Sequence, residues 1–272
     1  MVVTPDFVAV IDGSTSKSTM RCHRRYHGGG PLGLFRDHSN GEQAMLVVAD
    51  VIRRMKKGAS CHQFCKEATA ALRSYYRRGL LEHLATHPED RLAASCIVFS
   101  RLRREIWMIG DCQGLVVRKP EGEGGGAQGP CEPVRLENPK PSEQELAAMR
   151  AQIIMDSPRP WDHFLDDDTA RKAILPRMLQ TMRQQNNGYS VIDGFPVDEA
   201  HVKVLTLDMH PWEVVLATDG YPFLCPTLAQ AEERLRWQRD NDPLNIGAFK
   251  ATKAFAHGSD SFDDRAYIRF VV

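Results

Sequence analysis

An α+β fold, with sheets packed together and helix pairs on their outer sides, is what the order of hydrophobic patterns along this chain predicts. Short apolar runs and amphipathic stretches come in blocks: strand, two helices, three strands, two helices, two strands, two helices, strand. A regular βα alternation would predict a doubly wound parallel sheet instead. The composition supplies the core, because 272 residues with 42% hydrophobic content can bury most of the surface that the unfolded chain exposes.

The first strand is Phe7-Val8-Ala9-Val10-Ile11, stopped by Asp12-Gly13 and a polar stretch over 14–19. In 41–57 the apolar residues Met45, Val48, Ile52 and Met55 recur at three and four, as do Phe64, Ala68, Leu72 and Tyr75 in the next segment. That spacing predicts two amphipathic helices. Runs at 93–99, 105–110 and 115–117 are separated by a few turn or charged residues and read as an antiparallel meander. Between 119 and 142 glycines and prolines interleave, which predicts a flexible surface insertion within a single domain spanning 1–272. Helical patterns return at Glu143–Met155 and at 169–185, where Asp166-Asp167-Asp168 supplies acids for a helix start. Strands follow at 202–207 and 213–218. Thr227 with Gln230 forms a capping box for a helix reaching about Asp240, a further helix is expected over 244–255, and 266–272 is the last strand. Trp107 and Trp212 fall inside strands and are expected in the core.

Charge and cysteine content exclude several function classes. With 35 basic and 35 acidic side chains the chain lacks the broad positive footprint of a nucleic-acid binder or a polybasic membrane anchor. No apolar run approaches the length of a spanning helix, and the N-terminus shows no charged leader, so no membrane partner is expected. Seven cysteines without a paired framework fit reduced thiols, and the expected location is cytoplasmic. Cys61, His62 and Cys65 share one predicted helix without a second pair downstream, which reads as a helix face rather than a zinc site.

Candidate chemistry lies at strand ends. The chain has three Asp-Gly pairs, and such pairs are commonly simple turns; Val191-Ile192-Asp193-Gly194 is expected to be a loop. Asp12-Gly13 and Asp219-Gly220 differ in closing nearly all-apolar runs. Asp111 does the same after Ile106-Trp107-Met108-Ile109-Gly110, and Asp263-Asp264 stands just before the last strand. Four carboxylate positions therefore sit at the ends of four strands, without an equally regular set of histidines or cysteines. Such hard oxygen donors suit Mg²⁺ or Mn²⁺. Two such ions sharing a water could present it to a phosphoryl group for in-line attack.

Taken together, Phe7 to Gly13, Ala94-Ser95-Cys96-Ile97-Val98 leading into Ile106 to Cys112, Val214-Val215-Leu216-Ala217-Thr218-Asp219-Gly220, and Asp263-Asp264-Arg265-Ala266-Tyr267-Ile268 resemble, in order, the motifs of the PP2C-like metal-dependent protein phosphatases (PPM family). The resemblance spans nearly the whole chain outside the Gly/Pro stretch. It implies a four-layer α-β-β-α sandwich with a binuclear Mg²⁺/Mn²⁺ centre that hydrolyses phosphoserine and phosphothreonine. The substrate would be a phosphorylated protein or a small phosphomonoester. On that resemblance Asp12 bridges the two metals, and the Gly13 carbonyl holds the first. Asp219 and Asp263 bind the second, and Asp111 with Asp219 holds a weaker third. Asp264 takes a supporting role.

The chain also departs from that pattern. Only eleven residues precede Asp12, so the strand that carries a phosphate-binding arginine and a further acidic ligand in the family is expected to be missing. Ser14-Thr15-Ser16-Lys17 replaces a His-Gly-Gly continuation, which makes Lys17, or else Arg21, the candidate cation for the substrate phosphate. Two other readings follow: a phosphatase-fold binding or regulatory protein that has lost catalysis, and an actin-like sugar kinase. The kinase reading rests on Ile11-Asp12-Gly13-Ser14-Thr15, one residue short of that family's phosphate loop.

Overall fold

The computed structural model describes residues 1–14, 17, 20, 23, 38–120 and 132–272. Among the described residues, nine strands form two antiparallel sheets. In the first, β1 (Val2–Val3), β2 (Phe7–Gly13), β3 (Ala94–Ser100), β4 (Glu105–Ile109) and β7 (Lys203–Thr206) lie side by side in that order. In the second the order is β6 (Val134–Leu136), β5 (Gln113–Arg118), β8 (Trp212–Ala217), β9 (Tyr267–Val271).

Alternation of side chains along each strand explains the layering. Phe7, Ala9 and Ile11 of β2 pack with Val48, Ile52, Phe64 and Leu72 of helices α1 (Asn40–Arg54) and α2 (Cys61–Arg73). Val8 and Val10 point the other way and meet Val214 and Leu216 of β8, which fills the space between the sheets. On the far side of the second sheet, Val215 and Ala217 pack against Ala231 and Leu235 of α7 (Leu228–Asn241), capped by Thr227 as expected. The short α3 (Leu81–Thr86) follows α2, and α4 (Glu143–Met155), α5 (Asp162–Asp166) and α6 (Thr169–Met182) build a smaller cluster around Ile154, Phe164 and Ala170. The α+β class, with two face-to-face antiparallel sheets and helices outside them, is the architecture expected from the sequence. Trp107 is fully buried and Trp212 partly so. The five described cysteines are free, and among the described residues no helix is long and apolar enough to cross a membrane.

Four local expectations need correction. The meander breaks at β5, because β7 takes the free edge of β4 and β5 pairs with β8 in the other sheet. The turn that carries the chain across uses Gly110 at φ +86°, left-handed backbone that favours glycine. Residues 244–255 are not a helix. There Asn245 sits at φ +52°, and the Asp242 carboxylate accepts the Ile246 and Gly247 N–H groups, so side chains satisfy the backbone in place of a helical ladder. A strand does precede β2: Val2 and Val3 pair with Ala9 and Val8, although β1 carries no arginine. Within 119–142, residues 121–131 lie outside the described residues, while Val134–Leu136 is the edge strand β6 of the second sheet.

One backbone contact fixes where β2 ends. A Cβ on Gly13 would lie 2.2 Å from the Gly41 carbonyl oxygen, and one on Gly41 would lie 2.6 Å from that of Gly13. The first turn of α1 therefore rests backbone to backbone on the strand end that carries Asp12. Gly41→Ala is expected to cost about 1–3 kcal/mol by forcing the two apart. Urea unfolding checks this, and an unchanged midpoint would show that the contact has slack.

Candidate functional site

The strand ends converge. Asp12 is the penultimate residue of β2, opposite Ser95 of β3, and Asp111 lies on the crossover from β4 to β5. Asp219 follows β8, and Asp263 precedes β9. The last two loops are tied together: the Thr218 N–H donates to the Ala266 carbonyl at 3.1 Å, and the Ala266 N–H donates to Thr218 Oγ1 at 3.0 Å. To these four the tertiary structure adds Glu143, the first residue of α4. Carboxylate oxygens of Asp111, Glu143 and Asp219 all lie within 4.8 Å of one another.

Burial and like charge dominate the electrostatics. Burial, then the carboxylates of Asp111 and Asp263, push Asp12 up to about 6, against the pull of Lys140 and Lys253. Asp219 is held well above the ordinary range by burial and by Asp111, Asp12 and Glu143. Glu143 is raised, first by burial, with Lys140 opposing and Asp111 and Asp263 adding to the shift. Asp111 goes the other way. Burial works against its charged form, but the Lys140 ammonium beside it reverses the balance and lowers its pKa. Lys253 pairs in the same manner with Asp263, whose Oδ1 also accepts the Asp264 N–H at 3.0 Å.

Lys17 and Gly13 are the remaining expected site residues. Lys17 is partly buried and lines a cavity of about 140 Å³ together with Asp111, Glu143, Asp219 and Asp263; burial, then Arg171 and Lys253, lower its pKa to about 8. The Gly13 carbonyl faces Gly41. Arg21 lies outside the described residues. A second cavity of about 240 Å³ shares Asp111, Glu143, Asp219 and Asp263 and is walled by Tyr221, Phe249 and Phe262.

Sequence reasoning missed Glu143, Lys140, Lys253 and Arg171. Lys140 sits between two prolines in the stretch read as an insertion, and Lys253 in the stretch read as a helix. Glu143 looks like an ordinary acid at a helix start. The other motifs stay structural. Asp193 is fully buried and paired with Arg91 at 2.8 Å in a loop, as expected. Asp168 caps α6, and His62 pairs with Glu199 on an exposed helix face.

The donor set fits a hard divalent cation. The side-chain oxygens it offers are all carboxylate, and Asp219 Oδ1 is buried with no hydrogen-bond partner among the described residues. Repulsion within the cluster is what a bound cation would relieve, although Lys140 and Lys253 already neutralise two of its members.

No family model and no curated protein matches the chain. Among solved structures, the catalytic domain of the serine/threonine protein phosphatase PstP in complex with two manganese ions aligns at 11% identity, covering 84% of this chain and 85% of that one, with a TM-score of 0.34. The Mycobacterium tuberculosis serine/threonine phosphatase PstP/Ppp aligns at 12% identity over 84% and 90% of the two chains, with a TM-score of 0.33. RsbX in complex with magnesium aligns at 8% identity over 86% and 89%, with a TM-score of 0.32. Overlaps of this size assign neither family nor activity.

Proposed function

We propose that this chain is a metal-dependent phosphomonoester hydrolase acting on phosphoserine or phosphothreonine in proteins, or on small phosphomonoesters. The observation that carries the reading is the convergence of Asp12, Asp111, Glu143, Asp219 and Asp263 from five separate segments, with one buried Asp219 oxygen lacking a hydrogen-bond partner among the described residues. Asp12, the Gly13 carbonyl, Asp219 and Asp263 would hold two Mg²⁺ or Mn²⁺ ions, and Asp111, Glu143 and Asp219 would hold a third. Ions held there would supply Lewis-acid chemistry and lower the pKa of a coordinated water. The protein's own part is to keep the carboxylates buried and crowded, so that cation binding is favoured, and to line the adjoining cavity with cations that meet the phosphate charge.

A second reading is favoured by one observation. Lys140 and Lys253 are ion-paired to Asp111 and Asp263, so the chain partly neutralises its own cluster, as a phosphatase-fold binding protein without catalysis would. The sugar-kinase alternative gains no support from the sheets, whose strand pairs are all antiparallel among the described residues.

Chelator-treated protein titrated with Mn²⁺ separates the readings. The hydrolase predicts saturable Mn²⁺ binding by calorimetry together with Mn²⁺-dependent release of phosphate from p-nitrophenyl phosphate or a phosphothreonine peptide. Binding without turnover would favour the inactive protein, and neither would sink the metal site.

A further inference from the structure

Four cations line the 140 Å³ cavity beside the carboxylates: Lys17, Lys140, Arg171 and Lys253. Their situations differ. The Lys140 and Lys253 ammoniums are spent on Asp111 and Asp263. Arg171, in the first turn of α6, makes no ion pair among the described residues. Its Nη1 donates to two neutral oxygens of Thr252, the carbonyl and, at 3.2 Å, Oγ1.

The mounting of this guanidinium is rigid. The Arg171 backbone N–H donates to Asp168 Oδ1 at 2.8 Å, and Asp168 Oδ2 accepts from Arg150 Nε at 2.9 Å. Arg150, fully buried, also donates from Nη1 to the Leu244 and Ala251 carbonyls, at 2.7 and 3.2 Å, and so fixes the loop that carries Thr252. Arg171 is thus clamped between a helix cap and a loop that one buried side chain holds in common. Of its fork only Nη1 donates among the described residues, and Arg171 lines the same cavity as Asp111, Glu143, Asp219 and Asp263.

A fixed, planar, unpaired guanidinium suits a phosphoryl dianion, whose oxygens it can meet in bidentate fashion, better than it suits a carboxylate already neutralised by lysine. We propose that Arg171, with Lys17 on the same cavity, forms the anion pocket that receives the phosphoryl group of the substrate, a phosphate monoester dianion. The pocket draws its guanidinium from the first turn of α6. This rests on the hydrolase reading for the identity of the substrate, but the pocket can be tested without turnover.

The experiment is calorimetric titration of inorganic phosphate into the Mn²⁺-loaded full chain, for the parent protein, Arg171→Met and Arg171→Lys, with Mn²⁺ affinity and melting temperature measured on each. Arg171→Met is expected to weaken phosphate binding at least tenfold and to raise KM for p-nitrophenyl phosphate more than it lowers kcat, with Mn²⁺ affinity unchanged. Arg171→Lys keeps the charge and is expected to recover part of the loss, which a purely structural role would not produce. Phosphate affinity equal in all three proteins, or no phosphate binding by the parent, overturns the pocket. Parent protein that binds phosphate through Arg171 yet releases none from esters would leave the pocket standing and remove the hydrolase.

Discussion

Asp219→Asn is expected to lower metal-dependent phosphate release by about 1000-fold or more, equivalent to ~4 kcal/mol of transition-state stabilisation, while making the metal-free protein more stable. The first follows from losing a carboxylate that would hold the cation, the second from the raised pKa of that carboxylate. Burial and three neighbouring carboxylates raise the Asp219 pKa well above its ordinary value, so the folded chain retains a proton that the unfolded chain has released. The unfolded state therefore binds fewer protons, and metal-free stability falls as pH rises from the ordinary aspartate range toward the folded value. Asparagine keeps the shape and removes that slope, so the variant should melt higher than the parent at pH 7.5 in chelator and converge with it near pH 4. Asp12 contributes the same sign over the window from 3.8 to about 6. Asp111 has the opposite sign, since Lys140 lowers its pKa and that stabilisation is lost as pH falls. Mn²⁺ should reverse the ranking of parent and variant. Turnover within tenfold of the parent, or a metal-free melting temperature below it at pH 7.5, would refute the assignment.

The largest stability effect is expected at Arg150→Ala, a loss of about 3 kcal/mol or more, because removing one member of a buried charged network strands the rest. Arg150 is fully buried, ion-paired to Asp168 at 2.7 Å and bonded to two loop carbonyls. Asp168 would lose its charge partner, and the Leu244 and Ala251 carbonyls their donor. The loop bearing Thr252 and Lys253 would loosen with them, so Mn²⁺-dependent turnover should fall alongside stability. Guanidinium unfolding gives the first number and initial rates the second. A cost below about 1 kcal/mol would mean that water replaces the guanidinium, against the burial seen here.

How far the sequence carries depends on the range of each interaction. The runs from Phe7 to Ile11 and Val214 to Ala217 are legible as strands because β-branched and apolar residues cluster there, bounded by Asp-Gly. The partner of β5 was not legible: Leu115 and Val116 are apolar on both faces and would suit either sheet. The 244–255 stretch has apolar spacing that mimics a helix, and the Asp242, Gln238 and Asn245 side chains, together with Arg150, bond loop backbone and one another in place of a helical ladder.

The sequence alone determined that aspartates cap four apolar strands, since strand composition and the residue at the strand end are both local. Only the tertiary structure decided that Glu143 joins them, that Lys140 and Lys253 neutralise two of them, and that Arg171 lines one cavity with Asp111, Glu143, Asp219 and Asp263. Those four residues stand on helix starts and loops, where neighbouring residues in the chain do not specify direction. What aims them is long-range: the crossover of β5, the docking of α4 on α6, and the buried Arg150 holding the loop to the helix cap.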